Sequence, residues 1–352
     1  MTIPAEITTL AFDLGDTLIA VDARFKGSMS EWPELQAVPG VQAALSALRG
    51  HFRLVILSNA KNSGAYQVQT ALARAGLDGL FTAIFTSADL DLEKPDPAYF
   101  HKVARSLGAA PHELVMIGDS YLVDIPGARR AGWRAIWYNP GRAPAPGSAP
   151  LHDAEFERMA NLPLALDRLN LPDQLTCQTW YLQQGGTGSI WQHVEAVGLA
   201  AYHLAVLLRA AGHRVDPILA HRGGLLHDIA KISAKRTHRD HSDLGAEILA
   251  ELGQPVLAEI ALRHMLFYLN DPHKCPRTWE EKIVHYADKI CEGSRIVEWP
   301  ERLQGLATRY PDSIEAMRGF TPAIEALQVE LAAAAGFPAP EMATRLKAAI
   351  NR

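Results

Sequence analysis

With 352 residues the chain exceeds the ~100–200 of an ordinary single domain, so two domains are expected. Hydrophobic residues at 48% and charged residues at 21% describe a globular protein and exclude long disorder. A formal charge of -5, with no Lys/Arg block, argues against a dedicated binder of nucleic acid or membrane surfaces while leaving a nucleotide substrate open.

Short apolar runs ending in polar residues recur through the first half: Leu10 to Phe12, Leu54 to Leu57, Ala83 to Phe85, Leu114 to Ile117 and Arg134 to Tyr138. Each reads as a buried parallel strand. Amphipathic stretches at Val41 to Leu48, Tyr66 to Ala75 and Ala98 to Leu107 lie between them. This alternation predicts an open α/β sheet with its site at the carboxyl ends of the strands. Leu162 to Leu169 is expected as the last helix of that domain, beyond a Pro/Gly/Ala loop from Asn139 to Pro150.

From Ile190 onward helical periodicity takes over, in Val194 to Ala211, Ile218 to Leu226, Leu244 to Leu252, Val256 to Met265, Glu280 to Ile290 and Pro322 to Ala335. The second domain is expected to be all-α. The expected boundaries are 1–170 for the first domain, 171–189 for a linker and 190–352 for the second.

The polar residues at the strand ends carry the first chemistry. In Leu10-Ala-Phe-Asp13-Leu-Gly15-Asp16-Thr17-Leu18 a carboxylate follows a strand directly, where it can attack phosphorus and carry an aspartyl phosphate. Ser58-Asn59 ends the second strand and can hydrogen-bond phosphate oxygens, and Lys94 can neutralise phosphate charge. Asp119 and Asp124, after the fourth strand, suit Mg2+, a hard ion that takes oxygen ligands together with phosphate. Taken singly, Asp16 and Thr17 also read as turn formers, Lys94 as a surface charge and Asp124 as a helix cap.

These four ordered motifs, from Ile7 to Leu169, resemble the haloacid dehalogenase-like (HAD) phosphatases. The resemblance implies a Rossmann-like domain with an open parallel sheet. It makes Asp13 the nucleophile, Ser58 or Asn59 the phosphate ligand and Lys94 the charge stabiliser. Thr17 shapes the phosphate loop, and Mg2+ lies among Asp13, Gly15, Asp119 and Asp124. One departure stands out, because the family usually has a second Asp two positions after the nucleophile and this chain has Gly15. Catalysis is then expected to be slow, to use the adjacent Asp16, or to be absent. The twenty-odd residues from Ile19 to Pro39 leave room for a minimal cap only, which implies an open site.

The second half holds His193, then Gly224-Leu-Leu-His227-Asp228-Ile-Ala-Lys231, then Asp288 in Ala-Asp-Lys. Imidazoles and carboxylates spread along helices can converge on a metal in a bundle core. The order resembles the HD-superfamily phosphohydrolases, and from His193 to Arg295 it looks like the bacterial HD enzymes that cleave dinucleoside tetraphosphates. The resemblance implies one metal held by His193, His227, Asp228 and Asp288, and a second held by Asp228, His241 and His264. Asp228 is also implied in catalysis, and Lys231 and Arg295 in phosphate contact. Iron or manganese suits such ligands best. His238 rivals His241; His203, His213, His221, His273 and His285 read as bystanders, and the loop pair His152-Asp153 as coincidence.

The combined expectation is a bifunctional phosphohydrolase acting on a small phosphorylated substrate, a nucleotide. The HD domain would cleave a diester or anhydride, and the HAD domain a monoester. Two alternatives are a nucleic-acid end-processing enzyme and a regulatory protein with an impaired HAD sensor. Cys177, Cys275 and Cys291, scattered and odd in number, point away from disulfides and toward a reducing cytoplasm. No secretory signal and no window of ~20 apolar residues is present, so no membrane partner is expected.

Overall fold

The computed structural model describes residues 3–351 and divides into two compact units. One comprises Met1–Pro146 and Leu151–Asn170, the other Gly147–Pro150 and Leu171–Arg352.

The first unit is built on six strands, β1 (Thr9–Phe12), β2 (Arg53–Ser58), β3 (Ala83–Thr86), β4 (Leu114–Gly118), β5 (Arg134–Tyr138) and β6 (Ala154–Phe156). All neighbours pair in parallel, in the order β3-β2-β1-β4-β5-β6. Leu10, Phe12, Ile56, Val115 and Ile117 are buried, which is why these strands are continuous apolar runs rather than alternating ones. Each such side chain contributes about 1.5–3 kcal/mol on burial. Strand order reverses at β1, whose neighbours are β2 on one side and β4 on the other. Ligands of open sheets bind at the carboxyl ends around such a switch point. Five strands lie where the apolar runs predict them; β6, of three residues, is additional.

Helices Val41–Leu48, Ala65–Arg74, Pro97–Leu107 and Leu162–Asp167 also coincide with the predicted stretches, within a few residues at their ends. Pro97–Leu107 shows why the bounds fall where they do: Asp96 accepts from the Ala98 amide at the start, Pro97 occupies the first turn, and Gly108 ends it at φ 64.

The second unit is helical, as expected, apart from a small antiparallel pair, Cys291–Glu292 with Arg295–Ile296. Its long helix Gly188–Ala210 crosses Pro217–Leu226 at Gly198 and Gly224. A Cβ on Gly224 would fall 2.6 Å from the Gly198 Cα, so two backbones touch there. Within the stretch expected to be a linker, Gln174–Gln183 is a helix, capped by Asp173 accepting from the Thr176 amide. The two units divide at Asn170/Leu171. Among the described residues no helix is long and apolar enough to cross a membrane.

Candidate functional site

Asp13 stands just beyond β1, its backbone amide still donating to the Ile117 carbonyl of β4. Lys94 is buried and donates from Nζ to Oδ1 of Asp13 and to Oδ1 of Asp124, both at 2.6 Å. Asp13, Asp119 and Asp124 each bring one carboxylate oxygen within 4.8 Å of the others. Thr17 fixes Asp119, donating to its Oδ1 at 2.9 Å and accepting from its backbone amide at 3.1 Å. Burial opposes a charge on Lys94, but Asp124 and Asp13 outweigh it and hold the ammonium above its usual range. Burial pushes the carboxyls of Asp124 and Asp119 up, against the pull of Lys94 and Thr17 respectively. Three crowded carboxylates around a single ammonium form an oxygen-only set with excess negative charge, which fits a hard divalent cation.

Beside this cluster lies a cavity of about 380 Å3, floored by Asp13, Gly15 and Ser58 and walled by Val21, Met29 and Trp32. The wall belongs to the segment between β1 and the first helix. Arg74 clasps that segment from outside, donating to the carbonyls of Ser30 at 2.7 Å, Trp32 and Pro33. Ser63 adds a bond to Ser28 at 2.9 Å.

In the second unit six side chains converge. His193 Nε2 lies 3.0 Å from Asp288 Oδ1, and His227 Nε2 lies 3.7 Å from the same oxygen and 3.5 Å from Asp228 Oδ2. Asp228 Oδ1 faces His241 Nε2 at 3.2 Å and His264 Nε2 at 3.4 Å, and those two nitrogens are 3.2 Å apart. One carboxylate therefore serves two groups, His193-His227-Asp228 and Asp228-His241-His264, each with donor atoms within 4.8 Å.

The rings are aimed by backbone. His227 Nδ1 donates to the Gly224 carbonyl at 2.8 Å and His264 Nδ1 to the Ala261 carbonyl at 2.6 Å, which leaves each Nε2 as the ligand atom. The buried His227 Nε2 has no hydrogen-bond partner. An orphaned, buried lone pair among carboxylates fits a metal ion, and the mixed N/O donors fit a transition metal. Burial alone would raise the Asp228 carboxyl, yet Lys231 and His227 hold it well below the usual range. Asp288 is lowered likewise, with Lys289 and His193 offsetting burial. His264 is pushed down to about 4, chiefly by burial, so its ring is neutral near pH 7.

Comparison with known proteins matches each half. A family model for haloacid dehalogenase-like hydrolases covers residues 7–132, and one for the HD domain covers residues 190–293. The uncharacterized protein MJ0778 of Methanocaldococcus jannaschii is 42% identical over 122 residues, which span 31% of this chain and 70% of that protein.

The chain carries a haloacid dehalogenase-like hydrolase domain and an HD domain.

Pyrimidine 5'-nucleotidase PynA of Streptococcus pneumoniae is 39% identical over 83 residues, 23% of this chain and 35% of that protein. Phosphoserine phosphatase of Thermus thermophilus is 36% identical over 108 residues, 30% of this chain and 42% of that protein. The chain thus spans less than half the length of either. A solved structure of an uncharacterized protein from Listeria monocytogenes serotype 4b aligns with a TM-score of 0.41 and 29% identity, over 46% of this chain and 98% of that one.

In the HAD domain the structure brings together Asp13, Thr17, Ser58, Lys94, Asp119 and Asp124, with the Gly15 backbone lining the cavity. Two residues make bonds that were not expected. Asn59 braces the Lys94 backbone, a role that was not foreseen: Oδ1 accepts from the Lys94 amide at 2.9 Å and Nδ2 donates to the Lys94 carbonyl at 2.8 Å. Asp16, in a left-handed conformation at φ 54, turns its Oδ1 to the Val21 amide at 2.8 Å and braces the loop.

In the HD domain His193, His227, Asp228, Lys231, His241, His264 and Asp288 come together, with Lys231 Nζ 2.5 Å from Asp228 Oδ2. Arg295 does not join them. Its side chain is 69% exposed and pairs with Glu301. The arginine that reaches the cluster is Arg302, buried and 3.5 Å from Asp288 Oδ1, held by Glu292 at 2.6 Å. Lys289, also unforeseen, donates to Asp288 Oδ2 at 2.5 Å and to the His264 carbonyl at 2.8 Å, tying the two groups together. The Ala-Asp-Lys sequence carried that signal for Lys289; nothing in the sequence around Arg302 did. His238 is an exposed helix end, so His241 is the residue in place. His152 is buried against Tyr121 and Trp137, and Asp153 pairs with Arg129 and Arg134; among the described residues neither belongs to a candidate metal-binding group.

Proposed function

We propose that the chain is a bifunctional phosphohydrolase, whose HD centre cleaves a phosphoanhydride or phosphodiester of a nucleotide and whose HAD centre takes a phosphoryl group onto Asp13. The observation that carries the reading is the shared Asp228 carboxylate, its two oxygens facing different histidine groups. Such sharing suits a pair of metal ions held by His193, His227, Asp228 and Asp288 on one side and Asp228, His241 and His264 on the other. Iron or manganese is favoured there by the N/O donors, and Mg2+ by the all-oxygen set of Asp13, Asp119 and Asp124 with the Gly15 backbone beside it. Ions of this kind supply Lewis acidity and charge neutralisation for attack at phosphorus.

The protein's own groups complete each centre. Lys231 and Arg302 place positive charge beside the HD carboxylates, where substrate phosphates would lie. In the HAD centre Lys94 holds Asp13 in position and Ser58 presents a hydroxyl to the cavity. A nucleotide substrate is supported by the likeness to a pyrimidine 5'-nucleotidase and by an acidic chain without a basic stripe, which disfavours polynucleotides. Free cysteines, two of them buried, suit a reducing cytoplasm. A second reading, in which the HAD domain senses a phosphorylated ligand without turning it over, is favoured by Gly15 alone.

The test is hydrolysis of a dinucleoside polyphosphate and cyclic nucleotide panel with Mn2+ by wild type and Asp228→Ala, with metal content measured on both. Loss of activity and of bound metal together is expected. An unchanged rate in Asp228→Ala sinks the HD assignment.

A further inference from the structure

We propose that the HAD centre is selective for leaving groups that depart without a proton, so that it acts on acyl phosphates and phosphoric anhydrides in preference to alkyl phosphate monoesters. The inference rests on the reading of Asp13 as nucleophile and narrows its substrate class.

Among the described residues, those lining the cavity beside Asp13 include no acid placed to protonate a departing oxygen. The hydroxyls there, Ser28, Ser30, Ser58 and Ser63, are alcohols. Lys61, at the rim, is 70% exposed and paired with Glu93 at 2.8 Å. Lys94 is committed to two carboxylates at 2.6 Å. Asp16 is exposed, does not line the cavity and has its Oδ1 on the Val21 amide. Gly15, which lines the cavity next to Asp13, brings no side chain, and the space where one would begin is bordered by Val21 and Met29. A Cβ there would lie 3.1 Å from Val21 Cγ2.

The chemical consequence follows from the electron count. An Asp13 carboxylate oxygen bonds to phosphorus while the bond from phosphorus to the leaving oxygen breaks, and the electron pair departs on that oxygen. A carboxylate or phosphate carries the pair as a stable anion, whereas an alkoxide needs a proton as it leaves. Water then attacks the aspartyl phosphate at phosphorus, giving one proton to bulk solvent, and the breaking bond returns its pair to the Asp13 carboxylate. General acid/base help is worth about 10²–10⁴-fold, and that is the penalty placed on alkyl monoesters. The same lack of a base slows the second step, so phosphorylated Asp13 accumulates.

The experiment measures kcat/KM of the full chain with Mg2+ for acetyl phosphate, 4-nitrophenyl phosphate, phenyl phosphate and methyl phosphate. The proteins are wild type, Gly15→Asp, Gly15→Asp with Val21→Ala to give the new side chain room, and Asp13→Asn to subtract any other centre. Gly15 is not in the left-handed region, so its backbone accepts a side chain. A fall of about 10²-fold or more from acetyl to methyl phosphate in wild type, narrowed at least about tenfold by the aspartate, is expected. Comparable wild-type rates along the series overturn the proposal while leaving Asp13 as the nucleophile. No Asp13-dependent turnover of any compound overturns the reading of Asp13 and the proposal with it. The wild-type series decides even where a variant fails to fold.

Discussion

Gly224 meets Gly198 backbone to backbone where two helices of the HD domain cross, with only 2.6 Å between the Gly198 Cα and the place a side chain on residue 224 would begin. The contact sets the helix carrying His193 against the segment that delivers His227 and Asp228. Gly224→Ala is expected to force these helices apart and to cost about 1–3 kcal/mol, the range for overpacking a close contact. Denaturant unfolding of the HD domain within the full chain reads that loss. A ΔΔG near zero would show that the crossing has slack.

Asn59 uses both ends of its amide on the Lys94 backbone. Asn59→Ala leaves that backbone without its partners, a defect worth about 1–3 kcal/mol. The expected outcome is a roughly tenfold fall in kcat for Asp13-dependent hydrolysis of acetyl phosphate, with KM little altered. A raised KM at constant kcat would instead return Asn59 to the substrate.

Arg302 and Arg295 sit one helical turn and one hairpin strand away from each other in sequence, yet only Arg302 reaches Asp288. Arg302→Met is expected to lower nucleotide hydrolysis at the HD centre at least about tenfold, because it strips a buried charge partner from Asp288 and Glu292. Arg295→Ala, at a largely exposed side chain, is expected to change stability by less than about 0.5 kcal/mol and to keep activity. The reverse ranking in a rate assay would restore Arg295 to the phosphate.

His285 is buried, its Nδ1 donating to the Arg263 carbonyl at 3.0 Å, and burial first and Lys289 second push it from 6.5 down to about 3. A histidine lowered on folding takes up a proton when the chain unfolds between those two values. Its contribution is complete above pH 6.5 and declines as pH falls toward 3, by about 1.4 kcal/mol per pH unit within that window. His285→Leu should therefore flatten the acid limb of HD-domain stability by about one proton, measured as unfolding free energy from pH 7 to pH 4. An unaltered slope would mean that the ring is already protonated in the fold.

How far the sequence could be read depended on where each cause resides. Strands buried on both faces announce themselves as apolar runs, and Asp13, Ser58 and Asp119 are legible because they come at the ends of such runs. The helix Lys231–Thr237 was not legible, since only Ala234 of its side chains is buried and no apolar stripe forms. The helix Gln174–Gln183 was hidden for a similar reason, with Cys177 and Tyr181 alone buried. At the sites, residue type revealed which groups carry chemistry but not which partner each one takes. Asn59 was expected at the phosphate and Asp16 as a substitute acid, yet the fold bonds the Asn59 amide to the Lys94 backbone and the Asp16 Oδ1 to the Val21 amide. Arg295 stands close to Asp288 in sequence, but the short Cys291–Ile296 hairpin turns it to solvent and the following helix brings Arg302 in its place.

Arg74 holds the wall of the HAD cavity by three of its carbonyls, at Ser30, Trp32 and Pro33. To swing shut on a ligand, a rim anchored in this way would have to give up those bonds. While they hold, discrimination among substrates falls on shape at first encounter, without the extra selectivity that closing around the correct ligand provides. With Asp13 as the proposed nucleophile, a rim that stays in place would leave entry and exit without a gating step, and the rate there would be set by chemistry rather than by the motion of a lid.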